Sequence, residues 1–285
     1  MTPRLTPPSR DDRVRALLVL DDSAFYPLPF PAQGYRATRV SGWDALLAAV
    51  RRAPPSSAVL VSPLSASSGS PDPRLGELLS AAPLLPVVAA ADLASCAAGD
   101  IEALLRWGVS EVVDIQLEGG PEALVPRFRA AHARPFKRRL EAGLSRYVSP
   151  NAMTLIRAAA EVVSDRGLSP ELASVFGVNE RTVGHWCSRE GVPPPRRLLA
   201  WMRVLLAIGL LEERGRSWTN VALSTGYVDA KGLRRAIRGF VSRTSQGTGE
   251  RRPGFADAIV AFEADLHRCR ERLRMAGRGR PTARG

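Results

Sequence analysis

The chain has 285 residues, 45% hydrophobic and 24% charged, the make-up of an ordinary globular protein with room for two domains. No apolar run reaches the ~18–20 residues of a membrane span, and the opening MTPRLTPPSRDDR lacks the apolar core of a secretory signal, so a cytoplasmic protein with no membrane partner is expected. Three scattered cysteines (Cys96, Cys187, Cys269) and three histidines (His132, His185, His267) offer neither a disulfide framework nor a metal site, so no cofactor and no metal are expected. The net charge of +12 is unevenly placed: residues 1–130 carry 12 Arg against 14 acidic residues, while residues 131–285 carry 28 Lys and Arg against 14. All of the excess lies in the second half. Such a block asymmetry points to a polyanionic partner, nucleic acid before membrane surface.

In the first half, short apolar runs alternate with helical patterns. Strands are expected at 15–20 (ending in Asp21-Asp22), 35–40, 58–61, 85–90 and 111–115. Helices are expected at 43–52, with Trp43, Leu46, Leu47 and Val50 on one face, at 73–81 and at 100–107. A Pro/Ser-rich loop fills 62–73. Near-continuous apolar strands separated by helices predict an α/β domain with a parallel five-stranded sheet covered on both faces.

This register resembles the receiver domain of bacterial response regulators, a flavodoxin-like fold, most closely in the passage Ala103 to Val113. Asp21 and Asp22 stand where that family keeps an acidic metal-binding pair. At the phospho-acceptor position, however, stands Ser62, at the hydroxyl position Ala89 or Ala90, and the family's lysine is replaced within Asp114-Ile115-Gln116. Without the acceptor carboxylate there is no acyl-phosphate chemistry. The resemblance therefore implies a pseudo-receiver used for dimerisation or effector sensing. The plainer alternative is a generic α/β domain whose acids simply end a strand.

Residues 121–149 form a connector. Leu124, Val125 and Phe128, then Leu140, Leu144 and Tyr147, stand at helical spacing, with Pro135 and the basic run Lys137-Arg138-Arg139 between them. Two amphipathic helical pieces broken at Pro135 are expected, as a packing stripe rather than a coiled coil, since the pattern lasts too few heptads.

The second half reads as helices. One runs from Asn151 to Asp165 with Met153, Ile156, Ala160 and Val163 inward and Gly167 as its stop. Ser169-Pro170-Glu171 opens a short helix, 170–176, with Ser169 as expected N-cap. Gly177-Val178 turns, Asn179 caps a helix over 180–190, and Val183 and Cys187 point inward. That leaves Glu180, Arg181, Gly184, His185, Ser188 and Arg189 outside, the layout of a helix-turn-helix. The pattern then recurs: a helix over 217–225, a turn at Gly226-Tyr227-Val228, and a helix opened by Asp229 and running to Phe240. There Leu233, Ala236 and Ile237 face inward, and Ala230, Lys231, Arg234, Arg235 and Arg238 face outward. A long helix from Pro195 through Leu211 joins the units, and its ~25–28 Å suits two lobes about one DNA turn apart.

Here the sequence is similar to the AraC/XylS family of transcriptional regulators over residues 165–250. Leu172-Ala173, Gly177-Val178-Asn179 and Val183 fit the first unit, Arg203, Ala207 and Leu210-Leu211 the linker helix, and Val221-Ala222, Gly226-Tyr227 and Leu233 through Ile237 the second unit. Leu233, Ile237 and Cys187 replace aromatic residues usual in the family, and Thr244-Ser245-Gln246-Gly247 replaces its Gly-x-x-Pro ending.

The resemblance implies a non-enzymatic, sequence-specific regulator that places recognition helices in two successive major grooves of double-stranded DNA, acts with RNA polymerase, and forms a homodimer. Arg181, His185, Arg189, Lys231, Arg234, Arg235 and Arg238 stand where that family reaches bases or phosphates, with Ala230 beside them. Arginine reads guanine bidentately, and Glu180 accepts from cytosine or only stabilises its helix start. Trp186 and Trp201 are expected in the core and Asp229 as a cap.

The remaining segments are a linker from Gly247 to Gly254, an amphipathic helix from Phe255 to about Met275, and a basic tail expected to be disordered. The partition expected is 1–120, 121–149, 150–246 and 247–285. Three other functions make different demands on the sequence. A nonspecific architectural DNA binder would need charge alone, a phosphorylation switch needs a carboxylate where Ser62 stands, and an alkyl-DNA repair enzyme fused to such a reader needs clustered thiols. No Gly-rich phosphate loop or catalytic triad is present.

Overall fold

A computed structural model describes residues 14–20, 34–64, 70–118, 121–144, 148–241 and 253–278. Asp21-Asp22, Tyr147, Thr244 to Gly247, most of the linker after it and the basic tail lie outside the described residues.

Five strands, β1 (Arg15–Leu20), β2 (Tyr35–Val40), β3 (Ala58–Val61), β4 (Val87–Ala91) and β5 (Glu111–Asp114), form one sheet in the order β2-β1-β3-β4-β5. Every pairing is parallel. That order is the flavodoxin-like doubly wound one. Successive strand side chains point to opposite faces. Leu18, Leu20, Val59 and Val61 accordingly join one buried cluster with α1 (Trp43–Arg52), α2 (Pro73–Ala81) and α3 (Ala98–Trp107). Leu17, Val19, Ala58 and Leu60 join another, on the opposite face. The expected α/β domain is thus present, with small shifts of boundary. β4 starts at Val87 rather than Leu85, because Pro86 has no N–H and the Leu85 amide turns back to the Ala82 carbonyl. After Asp114 the chain leaves the sheet for a short helix, α4 (Ile115–Glu118), so Ile115 is not part of β5.

The connector corrects its expectation. It is one helix, α5 (Pro121–Gly143), which runs through both Pro126 and Pro135. An internal proline costs a helix about 3 kcal/mol. Burial outweighs the cost of both: Leu124, Phe128, Phe136 and Leu140 are all but completely buried, and each such side chain contributes about 1.5–3 kcal/mol. Leu124, Phe128 and Ala131 close the second face of the sheet, whereas Phe136, Leu140 and the following Leu144 enter the core of the helical half. The basic run is spent on the same packing. Lys137 pairs with Glu161, Arg138 donates to the Gly108 carbonyl and Arg139 pairs with Glu212.

The helical half comprises α6 (Pro150–Ser164), α7 (Ser169–Val175), α8 (Glu180–Arg189), α9 (Pro195–Glu212), α10 (Trp218–Ser224), α11 (Ala230–Val241) and α12 (Phe255–Arg278). They share one hydrophobic cluster around α9, whose Trp201 is completely buried. Phe240 meets the Trp201 ring edge-on at 4.8 Å, and Phe262 of α12 leans on it at 5.4 Å. The Trp201 indole N–H donates to the buried Asp265 carboxylate at 2.7 Å, which also accepts from Arg197 and Arg268. Burial alone would raise that carboxyl, but the hydrogen bonds from Arg197 and Trp201 more than offset it and hold its pKa below the usual value.

Candidate nucleic-acid interface

Each helix-turn-helix is built by the same local devices. In the first, Gly177 adopts φ of +64°, the left-handed turn that suits glycine, and Asn179 Oδ1 accepts from the Thr182 amide at 2.9 Å to start α8. In the second, Gly226 turns at φ of +85°, Ser217 Oγ caps α10 through the Asn220 amide, and Asp229 Oδ1 accepts from the Gly232 amide, the expected cap. The first unit's opening differs from expectation. Ser169 lies inside α7, and the N-cap is Leu168, whose amide donates to Glu171 Oε2 at 3.0 Å. A leucine side chain cannot cap, so the glutamate three positions on satisfies the exposed amide instead.

The inward sides are closed. Val183, Cys187, Leu233 and Ile237 are buried, the last three where the resemblance notes missing aromatics. Burial pushes the Cys187 thiol up to about 12, which leaves it protonated and inert at neutral pH. Trp186, expected in the core, is half-buried and stands edge-on against Phe176.

On the outward sides, Glu180, Arg181, His185 and Arg189 of α8 and Lys231, Arg234, Arg235 and Arg238 of α11 are all exposed, with Ala230 partly covered. They are not equally free. Arg189 leans back on Glu190 at 3.3 Å, at the end of α8, and the Arg234 guanidinium lies 4.9 Å from the centre of the Trp218 ring. Arg181, His185, Lys231, Arg235 and Arg238 make no hydrogen bond or ion pair among the described residues. α11 therefore shows three unengaged cations and one stacked one along a single exposed face, against no acidic side chain between Ala230 and Val241. Such a face attracts phosphates and supplies the donor forks that read guanine edges.

The units are tied to each other by residues that the sequence pattern only partly exposes. Arg203 of α9 is buried, with its pKa lowered by desolvation, and donates to the Gly167 carbonyl at the α6–α7 corner, beside Gly226 of the second turn. Arg166, in the left-handed region at φ of +58°, donates to the Ser224 carbonyl at 3.2 Å. Arg203 fits the family pattern; Arg166 and the Trp218 platform carry no signal in helical spacing.

Residues 172–248 match a family model described as a helix-turn-helix domain. That match supports an AraC-type DNA-binding domain, and with it a DNA-binding role in transcription regulation. No curated protein and no solved structure was found to match the chain. Among the described residues no helix is long and apolar enough to cross a membrane.

Proposed function

We propose that this chain is a sequence-specific transcriptional regulator in which α8 and α11 read two successive major grooves of duplex DNA. The observation that carries the reading is the exposed face of α11, where Lys231, Arg235 and Arg238 stand unengaged on the second helix of a helix-turn-helix. Arg181 and His185 hold the equivalent place on α8, and Glu180 suits a cytosine amine or the helix start. Arg234, braced on Trp218, presents its guanidinium with less freedom to lose on binding. α9, with 18 residues, is about 27 Å long, a span that suits helices reaching into neighbouring grooves.

The N-terminal α/β domain serves dimerisation or signal sensing without aspartyl phosphorylation. The first residue after β3 is Ser62, and Ala89 and Ala90 are buried inside β4 rather than offering a hydroxyl at its end. RNA polymerase and a second copy of the chain are the protein partners proposed.

The test is a set of duplexes selected from a random pool by the full chain. Arg235→Ala and Lys231→Ala are then measured on the selected duplex and on random duplex. A base-reading residue loses about 1–3 kcal/mol on the selected site and much less on random DNA. Equal losses on both would leave only charge attraction.

A further inference from the structure

The α/β domain and the helical half meet across a cleft of about 850 Å³. That is within the ~300–1,000 Å³ of small-molecule sites, which favour domain interfaces. One wall comes from α1 and the α2 region and sets Leu47, Val50 and Pro83 beside Arg51 and Glu77. The opposite wall is the turn from Glu212 to Arg216 between α9 and α10.

The charges in the cleft do not cancel. Arg139 is paired with Glu212, and Arg216 with Glu213. What remains unengaged among the described residues is Arg51 and Arg214 against a single carboxylate, Glu77. Apolar side chains set between Arg51 and Arg214, with one positive charge in excess, are complementary to an amphipathic monoanion.

The far side of the cleft leads straight into the second reader. Arg216 donates to the Ala53 carbonyl of the α/β domain at 2.7 Å, and Glu213 accepts from the Leu84 amide at 3.1 Å. Ser217, the next residue, caps α10. We propose that this cleft binds a small organic acid with an apolar body between Arg51 and Arg214, and that its occupancy changes the affinity of the second helix-turn-helix for DNA. The coupling rests on the DNA-reading function above. A ligand that bridges α1 to the 213–216 turn binds the docked arrangement of the two halves better than any other, and so shifts the population toward it.

The test uses the full chain and 1-anilinonaphthalene-8-sulfonate, a fluorescent aromatic anion, as the probe. We expect saturable binding of one equivalent. Arg51→Ala with Arg214→Ala weakens it about tenfold or more, as loss of charged hydrogen bonds requires. Both side chains are exposed, so the double variant keeps its unfolding midpoint; Ala81→Trp, which fills the cleft from α2, is the second variant and abolishes binding. Arg36→Ala, on the exposed side of β2, changes nothing. Saturating probe shifts the selected-duplex Kd of the wild-type chain about fivefold or more, and leaves that of the double variant unmoved.

Probe binding that is absent, or unchanged in both cleft variants, overturns the site. Binding that behaves as expected while the duplex Kd stays fixed overturns the coupling. The titration is read without DNA, so a chain that takes the probe yet binds no duplex refutes the DNA-reading function and leaves the site intact.

Discussion

At the scale of single residues, the basic side chains of α11 divide by what holds them. Arg234 rests on Trp218, whereas Lys231, Arg235 and Arg238 reach into solvent unengaged. Trp218→Ala should therefore weaken DNA binding through Arg234, and combining it with Arg234→Ala should add little to that loss; fully additive losses would show the stacking to be incidental. His132 makes a second case. It is buried, stacked on Tyr35 at 5.9 Å, and near Arg15, which bonds to the Asp165 carboxylate and the Ser164 carbonyl. Burial first, and then the Arg15 charge, push its pKa well below the usual range. A histidine with a depressed folded pKa binds protons better when unfolded, so stability falls as pH drops below about 6.5 and goes on falling toward the folded pKa. His132→Phe should flatten the thermal unfolding midpoint between pH 7 and 5. An equally steep fall in that variant would place the acid sensitivity elsewhere. Neither the platform nor the buried imidazole was legible in the sequence, because a lone tryptophan or histidine has no periodicity to betray its neighbours.

Elements were legible where one physical signal dominated. α1 and α2 fall on their expected residues, since a single apolar face marks each and Gly42 or Asp72 with Pro73 marks where each begins. Both helix-turn-helix turns were legible because only glycine suits the left-handed corner that each requires. α5 was not, because the local rule that proline breaks helices was overridden by tertiary burial on two sides. That reading predicts that Phe136→Ala costs about 3–5 kcal/mol, a large truncation in a filled core. Replacing Pro135 by Ala should restore a backbone hydrogen bond and stabilise the chain. Chemical denaturation measures both, and a destabilised Pro135→Ala would mean that the ring itself is needed for packing. Asp265 belongs to this scale too, since it joins α9 to α12 through Trp201 and Arg197. Its depressed folded pKa contributes stability above the ordinary carboxyl range, and this is lost as pH falls through the folded value. Asp265→Asn should remove that part of the acid sensitivity, and an unchanged acid profile would contradict it.

For the whole molecule, the charge split between the halves is explained by what each half does with its arginines. Those of the connector and of α9 are largely consumed in holding the halves together or the two units in place, while those of α11 are left outside. Net charge thus hinted at a polyanion, but only the helix spacing and the burial pattern separate exposed cations from structural ones. The docking of the halves was not legible at all. It depends on Leu84 entering the helical core against Gly209, and on Glu213 and Arg216 reaching the Leu84 amide and the Ala53 carbonyl, contacts between residues far apart in the chain. In the proposed function, two recognition helices read two neighbouring grooves in one site. Footprinting of the full chain on its selected duplex tests it most directly. Two protected major-groove segments about 10–10.5 base pairs apart on one face are expected, with Arg235→Ala emptying one and Arg181→Ala the other. A single protected groove, or uniform protection indifferent to sequence, would contradict it.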